Sequence, residues 1–446
     1  MTTERSTHLT PEAAKRLAQE AYVFGFPLVY IEVQQDRSTA VTKPTGPLAP
    51  VNRFGHYRQL PDASDRTVVG MNLDVLLSIA NCDLSGEPLA LSVPDIPDRF
   101  WLLQFLNGWN DVPLSMGTRG SGGKGGNFAL VGPDWQGDLP TGLTELRMPT
   151  AMTNLGGRIR IENPAETTPI NALQDQFRLM PLSAWGTAWQ PPAEVPLKPG
   201  VDAETPVPRQ VLGMTPSRFF GRLNALLTTN PAYPADAPVL ERIAALGIAP
   251  GAAFPWASFS PEVQTAIGEG IKAGQQQIRA TPLGEQVHGW MLTRDMGRFG
   301  TNYPLRAAWT LFGVGGNLVE DACYPLTRVD AAGEQLDGGH RYRLRFAPDE
   351  LPPVNAFWSM YIYNLEFFFV DNPIDRYMLG SRSHLAHGDD GSLTIAVQRD
   401  RPTDVPGSNW LPGPAEGGFE IPMRLYLPKP EVAAGRWRPP AIERVG

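Results

Sequence analysis

A first group of residues able to move protons lies in the segment Asn52–Arg58 and in the later segment Asn72–Asp74. His56 changes charge near neutral pH, and Asp74 is suited to orient it or to act as a base. Polar groups this dense among apolar strand residues require hydrogen-bond partners or a ligand. We therefore predict that His56 and Asp74 are catalytic acid–base residues. The alternative is a structural hydrogen-bond network between strands.

A second group lies in the predicted strand Phe357–Asn364. Side chains alternate between the two faces of a strand. One face therefore carries Phe357, Ser359, Tyr361 and Tyr363. A tyrosine hydroxyl on this face is suited to donate to a developing oxyanion, and the rings give a pocket its apolar body. We predict that Tyr361 and Tyr363 are catalytic, the alternative being core packing with tyrosine hydroxyls at the rim.

Further polar and aromatic side chains complete the predicted substrate site. They are Asn72, Gln104, Trp109, Arg119, Trp358, Arg376, Tyr377 and Asn409. Arg119 lies in the glycine-rich segment 117–126, for which two interpretations remain open. It is either a flexible surface hairpin or a mobile lid whose Arg119 and Lys124 meet an anionic substrate.

The sequence motifs that mark phosphate-binding, dinucleotide-binding and α/β-hydrolase sites are incomplete or absent in this sequence. The glycine-rich segment departs from the phosphate-loop pattern, because Thr118 and Gly125 occupy positions that require Gly and Ser or Thr. Gly313–Gly316 is only loosely similar to a dinucleotide fingerprint, since Leu318 takes the third glycine position. No Gly-x-Ser-x-Gly elbow of an α/β-hydrolase occurs. The sequence therefore predicts no cofactor.

The spacing of the histidines gives equally little support for a metal site. No His-Glu-x-x-His motif occurs, and His384 and His387 are the one pair of histidines three residues apart. On a helix this spacing would place both imidazoles on one face. Gly388 and the turn Asp389–Gly391 predict a solvated loop instead, so no metal site is predicted.

Composition excludes several classes of protein. The formal net charge is −8, which argues against a nucleic-acid partner. No apolar run approaches the length of a membrane span, and no secretory signal pattern is present, so a cytoplasmic location is expected. Two cysteines are too few for a disulfide framework or a four-cysteine zinc site.

The elements that must position these residues fall into three predicted parts. Residues 1–170 form an N-terminal helix and a first β domain, residues 171–300 form a connector and a helical segment, and residues 301–446 form a second β domain. A chain of 446 residues exceeds one hydrophobic core. The 45 glycines and 45 prolines favour many short strands joined by turns. The predicted fold class is multi-domain α and β.

Capping residues and periodicity predict individual elements. Thr10, which precedes a proline, starts the first helix, and Pro27 is expected to end or kink it. Thr215, Asp236 and Ser260 are predicted to start helices in the middle segment.

Strand patterns flank that helical segment. The run 100–107 is apolar on both faces, which predicts a strand packed on both sides. The run 158–161 alternates isoleucine and arginine, which predicts a strand with one wet face, and the alternation in the runs 341–346 and 393–398 predicts two further strands.

Several short motifs together resemble the two-domain proteins described as domains of unknown function 1254 and 1214. The N-terminal motifs are Glu20–Pro27, Asn52-x-Phe54-x-His56, Asn72-x-Asp74, Leu91–Asp95, Gly117–Arg119 and Gly132–Trp135. The C-terminal motifs are Gly316-Asn317-x-x-Glu320-Asp321-Ala322, Ala356–Ser359, Arg376-Tyr377, Asp390–Leu393 and Asn409–Pro412. The resemblance covers nearly the whole chain. It implies two β-sandwich domains of jelly-roll type, with helical segments between and around them.

The chain departs from this family pattern at two positions. Family members typically carry a threonine and a tyrosine where this sequence has Val75 and Leu77. If this strand lines the site, the pocket is more apolar than is usual in the family. We therefore expect specialisation toward a hydrophobic substrate.

Three functions remain open at this stage. The preferred hypothesis is an enzyme that acts on a small, partly hydrophobic organic molecule by non-redox acid–base chemistry, through hydrolysis, elimination or cyclisation. The second is a carbohydrate or small-ligand binding protein, with Trp101, Trp109, Trp358 and Trp410 as stacking surfaces. The third is a metal-assisted hydrolase. A homo-oligomer is expected, since long β domains with covered edges often self-associate.

Overall fold

The computed structural model describes residues 9–66 and 69–446, so the first eight residues of the predicted N-terminal part, including His8, lie outside the described residues. The described residues form eight α-helices. They are α1 (Pro11–Ser38), α2 (Thr167–Gln174), α3 (Val207–Leu212), α4 (Pro216–Leu226), α5 (Ala237–Ile243), α6 (Pro261–Ala280), α7 (Tyr303–Phe312) and α8 (Pro430–Ala433).

Helix α1 begins where its capping residue predicts. The Thr10 hydroxyl accepts a hydrogen bond from the Ala13 amide, and Pro11 takes the first helical position. The expectation that Pro27 would end the helix is wrong, because α1 continues to Ser38. Pro27 removes one backbone donor, but this stretch of α1 is buried against other helices, and packing offsets the loss.

The helices form one hydrophobic core around α1. Helix α6 packs closely along α1, since Gly270 brings its backbone against Lys15 and Ala18. Helices α4 and α6 begin at the predicted caps Thr215 and Ser260, whose hydroxyls accept backbone hydrogen bonds. The Asp236 side chain makes no cap bond to α5, although α5 begins directly after it.

In the part of the chain that the structure describes, nine strands form the N-terminal sandwich. They are β1 (Phe54–His56), β2 (Val75–Asp83), β3 (Leu89–Val93), β4 (Trp101–Asn107), β5 (Leu114–Gly117), β6 (Gly126–Val131), β7 (Thr144–Arg147), β8 (Met152–Arg160) and β9 (Arg178–Pro181). Its N-terminal inner sheet has the order β1-β2-β8-β4-β5, and its outer sheet has the order β7-β6-β3-β9. Leu103 of the inner sheet and Leu91 of the outer sheet share one buried core. As predicted, both faces of β4 are buried.

Among the described residues, twelve strands form the C-terminal sandwich. They are β10 (Glu285–Val287), β11 (Trp290–Leu292), β12 (Ala322–Cys323), β13 (Leu326–Thr327), β14 (Arg341–Phe346), β15 (Val354–Tyr361), β16 (Tyr363–Asn364), β17 (Met378–Gly380), β18 (Leu393–Gln398), β19 (Trp410–Pro412), β20 (Phe419–Pro428) and β21 (Ile442–Val445). The eight-stranded C-terminal inner sheet follows the order β10-β11-β13-β20-β15-β17, with β12 and β16 also paired to β20. The outer sheet has the order β19-β18-β14-β21. Their shared core contains Met360, Met423 and Ile395.

The two inner sheets meet face to face. Val75 and Leu102 of the N-terminal inner sheet pack against Phe357 and Tyr426 of the C-terminal inner sheet. The other face of β15 carries Trp358 into the core of its own sandwich. The alternation predicted for β15 is therefore confirmed, and its aromatic face is the junction between the sandwiches. The whole is a multi-domain α and β fold, as predicted.

Within residues 9–66 and 69–446, no helix combines the length and apolarity that crossing a bilayer requires.

Candidate functional site

A cavity of about 1000 Å³ lies where the two inner sheets meet the helices. This size is at the upper end of ordinary small-molecule sites. Both inner sheets and the helices α6 and α7 contribute side chains to its walls. They include Val75, Leu77 and Arg158 from the N-terminal inner sheet, Met291, Leu326 and Arg424 from the C-terminal inner sheet, Arg279 from α6, and Trp309 and Phe312 from α7. The walls are thus apolar with a few polar groups that converge.

The segment Gly313–Gly316 forms one wall of this cavity, directly after α7. Gly315 has a φ of +83°, which glycine adopts without strain. The Gln104 amide of β4 donates hydrogen bonds to the carbonyl oxygens of Gly315 at 2.9 Å and Gly316 at 3.2 Å. Gln104, predicted to bind substrate, therefore holds a cavity wall in place.

Tyr324 brings a phenol to the cavity. Its oxygen accepts a hydrogen bond from the Asn317 side-chain amide at 3.0 Å, and no described acceptor takes its proton. Burial raises the pKa of Tyr324, although the charges of Arg158 and Arg424 act in the opposite direction. Because its pKa lies above 10, the group is a neutral hydrogen-bond donor at pH 7.

Arg424 of β20 adds a positive charge to the same wall. Its guanidinium donates to the carbonyl oxygens of Gly70 at 2.8 Å and Met71 at 3.2 Å, and to the Tyr363 hydroxyl at 2.9 Å. It also lies 4.8 Å from the centre of the Tyr361 ring. Its buried Nε has no hydrogen-bond partner.

Arg158 of β8 lies between Leu77 of β2 and Leu102 of β4 in the sheet register. Its guanidinium donates to the Gln104 side-chain oxygen at 3.3 Å. No described carboxylate forms an ion pair with Arg158 or Arg424, whereas Arg328 at the same cavity pairs with Glu420 at 2.5 Å. Two guanidinium groups here therefore retain uncompensated charge.

Asp74, predicted as a base, lies at the junction of the sandwiches rather than on the cavity wall. Its carboxylate is fully buried and accepts hydrogen bonds from the hydroxyls of Ser359 at 2.6 Å and Tyr361 at 2.8 Å. It also forms an ion pair with Arg382. A carboxylate with this many donors is suited to joining elements, and it has no free access to a ligand.

Asn72 connects this junction to the cavity. Its side-chain amide donates to the Tyr426 hydroxyl at 2.8 Å, and its side-chain oxygen accepts from the Asp74 amide at 2.7 Å. Asn72 also lines the cavity, as a substrate-binding role requires.

His56 is not brought together with Asp74. Its Nδ1 lies 2.9 Å from the Ser78 hydroxyl, and His56 pairs with Ser78 in the β1–β2 register. Burial and the nearby charge of Arg58 lower its pKa to about 4. His56 is therefore neutral at pH 7, and it does not line the cavity.

Three predicted tyrosines lie in an aromatic cluster at the junction. The Tyr363 hydroxyl donates to the Met71 carbonyl oxygen, and the Tyr377 hydroxyl donates to Asp375 at 2.9 Å. The rings of Tyr361 and Tyr363 are parallel, with centres 5.8 Å apart. Burial raises the pKa of Tyr363 to about 12 and raises that of Tyr361 well above its ordinary value. These phenols contact the segment that precedes β2, not the cavity itself.

Arg119 is already paired, because its guanidinium donates two hydrogen bonds to Asp321 and a third to the Ser115 hydroxyl at 2.9 Å. The distances to Asp321 are 2.6 Å from Nε and 2.9 Å from Nη2. This bidentate pair ties the glycine-rich hairpin to the segment between α7 and β12. The structure therefore favours a fixed tether at Arg119 over a free anion-binding group.

Arg376 and Asn409, which were predicted to bind substrate, instead donate hydrogen bonds to backbone carbonyl oxygens. Arg376 donates to the carbonyl oxygens of Gly407 at 2.7 Å and Trp410 at 2.8 Å. Asn409 donates to the Ala386 and Thr394 carbonyl oxygens. Neither Arg376 nor Asn409 lines the cavity.

The tryptophans proposed as carbohydrate platforms are buried. Trp109 lies in the helical core, where its indole donates to the Pro231 carbonyl oxygen at 3.0 Å. Trp358 lies in the C-terminal sandwich core, and Trp101 and Trp410 are also buried. These four side chains form no exposed stacking surface.

Within the described ranges, no three His, Cys, Asp or Glu side chains are grouped as a metal site would require. His387 contacts the Gly391 carbonyl oxygen at 3.3 Å within the predicted loop. Cys82 and Cys323 are buried free thiols, and burial raises the pKa of both.

Comparison with known families agrees with the two-sandwich architecture. Residues 51–181 match the family described as Protein of unknown function (DUF1254), and residues 321–430 match Protein of unknown function (DUF1214). The first range corresponds to the N-terminal sandwich, and the second covers most of the C-terminal sandwich. The chain therefore joins a DUF1254 region to a DUF1214 region, as its motifs predict.

Solved structures with similar folds include the VPA0106 protein from Vibrio parahaemolyticus. It is 25% identical, with a TM-score of 0.73, and the match covers 97% of this chain and 100% of that chain. A putative uncharacterized protein from Burkholderia cenocepacia is 12% identical, with a TM-score of 0.42, over 97% of this chain and 94% of that chain. No curated protein matches the sequence.

Proposed function

We propose that this protein is an enzyme that acts on a small, largely apolar organic molecule bound in the cavity between the two inner sheets. The observation that carries the proposal is the Tyr324 phenol, whose proton no described residue accepts. The reaction is non-redox acid–base chemistry, which includes hydrolysis, elimination and cyclisation.

The surroundings of Tyr324 favour the role of an acid. Its raised pKa keeps the hydroxyl protonated at pH 7, and Asn317 orients the oxygen from one side. Tyr324 donates its proton to a substrate oxygen on which negative charge develops, and solvent water restores that proton afterwards. Arg158 and Arg424 stabilise the same charge, because they act on Tyr324 electrostatically and have no carboxylate partner.

The apolar walls support a hydrophobic substrate. Val75 and Leu77 both line the cavity, and neither side chain offers a hydrogen-bonding group. The resemblance to the family implies a threonine and a tyrosine at these positions, so this cavity has two fewer hydroxyls for a polar substrate.

Tyr324→Phe tests the proposal, because it removes the hydroxyl and keeps the ring. Once a substrate is found by screening small esters, lactones and hydroxy compounds, we expect kcat to fall by about 10²–10⁴-fold in this variant. Substrate affinity should change much less. Tyr30→Phe is the matched control, since Tyr30 is buried in the helical core away from the cavity, and its kcat should equal that of the wild type.

Equal kcat values for Tyr324→Phe and the wild type would contradict the assignment of the acid. Ligands that bind in the cavity and are released unchanged under all conditions would instead favour the binding-protein alternative.

A further inference from the structure

We propose that the natural substrate is an amphipathic organic carboxylate, with its head group between Arg158 and Arg424 and its apolar chain directed to the cavity mouth. This inference rests on the proposed function for the location of the site. It adds a substrate class, which the acid–base chemistry alone leaves open.

The first argument is the charge of the walls. Four arginines line the cavity and Glu366 is the one acidic residue among the described lining residues. Arg328 is neutralised by Glu420, but no described carboxylate forms an ion pair with Arg158, Arg279 or Arg424. A ligand with one negative charge would offset part of this excess, and a guanidinium binds a carboxylate through directed hydrogen bonds.

The second argument is a buried donor of Arg424 that forms no hydrogen bond with the described residues. The Nε–H of Arg424 is buried and has no partner, while its Nη2 is already bound to backbone oxygens and to Tyr363. A buried donor without a partner is costly. A carboxylate bound at this wall would place negative charge beside a guanidinium whose hydrogen-bonding capacity the described residues do not fully use.

The third argument is the apolar character of the mouth. Eight large hydrophobic side chains of the described residues are exposed, and four of them line this cavity. These four are Val69, Phe312, Val314 and Leu365. Exposed apolar side chains that cluster in one place mark a surface that an apolar group covers. The alkyl chain of the substrate provides that group.

Calorimetric titration of the delipidated full chain with decanoate tests the proposal. We expect one decanoate per chain, with decylammonium of the same chain length at least tenfold weaker and acetate undetectable. Arg158→Met should weaken decanoate binding about tenfold or more, because a hydrogen bond to a charged group is lost. Arg345→Met, which removes an exposed guanidinium of the outer sheet, is the control and should bind within about twofold of the wild type.

Equal affinity for decanoate and decylammonium in the wild type would overturn the inference, and this comparison needs no variant to fold. Unchanged decanoate affinity in Arg158→Met and Arg424→Met would overturn it as well. The two proposals fail separately. Turnover of an uncharged substrate that depends on Tyr324, without decanoate binding, would refute this inference alone, whereas decanoate binding without any Tyr324-dependent turnover would refute the proposed enzyme alone.

Discussion

Asp74 and Tyr324 are both polar groups near the junction of the sandwiches, but their hydrogen bonding differs. The Asp74 carboxylate accepts hydrogen bonds from three hydroxyls and pairs with a guanidinium, while the Tyr324 hydroxyl retains an unused proton. A group in a cavity can bind a ligand only if one of its hydrogen-bond donors or acceptors is still free. By this measure Tyr324 is the better candidate for chemistry.

His56 gives a prediction at the same scale, because its pKa is about 4 in the folded chain against 6.5 ordinarily. As the pH falls from 7 to 5, the unfolded chain binds a proton at His56 and the folded chain does not, so stability is lost. This group should contribute about 2 kcal/mol to that loss. His56→Gln should reduce the difference between the free energies of unfolding at pH 7 and pH 5 by about this amount, as measured by urea denaturation.

The same two proteins, wild type and His56→Gln, provide a control at higher pH. Between pH 8 and pH 9 the imidazole is neutral in both states, so the wild type and His56→Gln should show the same pH dependence there. An unchanged difference between pH 7 and pH 5 in the variant would show that burial does not suppress protonation of His56.

Sequence patterns identified polar clusters but not the partners that occupy them. His56 and Asp74 were grouped by their nearness in the chain, yet each is bound to a different neighbour in the fold. Tyr324 was missed because a single tyrosine has no diagnostic spacing. Its one sequence signal is the motif that contains Asn317, the residue that orients it.

At the scale of elements, local signals predicted where structure begins better than where it ends. Thr10 and Ser260 cap α1 and α6 as expected, and β4 and β15 carry the predicted faces. The end of α1 depends on packing against other helices, which a local rule for proline does not include.

Two glycines of α6 provide a matched test of that packing. A Cβ atom at Gly270 would lie 2.2 Å from the Lys15 carbonyl oxygen of α1, whereas one at Gly268 would meet nothing within 4 Å. We expect Gly270→Ala to lower the free energy of unfolding by about 1–3 kcal/mol through overpacking. Gly268→Ala should raise it by up to about 1 kcal/mol, because alanine favours a helix.

Urea denaturation of both variants measures the contrast. If Gly270→Ala were as stable as Gly268→Ala, the close approach of α1 and α6 would be incorrect.

At the scale of the whole molecule, the cavity exists because the inner sheet of each sandwich also packs against the other sandwich. Each inner sheet packs its own core on one side and the other sandwich on the opposite side. Asp74 and Arg119 fasten this junction through Arg382 and Asp321, and the cavity opens beside it. The sequence predicted two-sided strands, but periodicity carries no information on which sheets meet, so the cavity itself could not be predicted.

A crystallographic fragment screen of the full chain tests most directly the central claim that this cavity is the functional site. Crystals are soaked with apolar acids, apolar amines and neutral apolar fragments, and the bound positions are mapped. The account predicts that bound fragments concentrate in the cavity, with the acids next to Arg158, Arg424 and Tyr324. Fragments that bind repeatedly elsewhere, while this cavity holds only water, would contradict it.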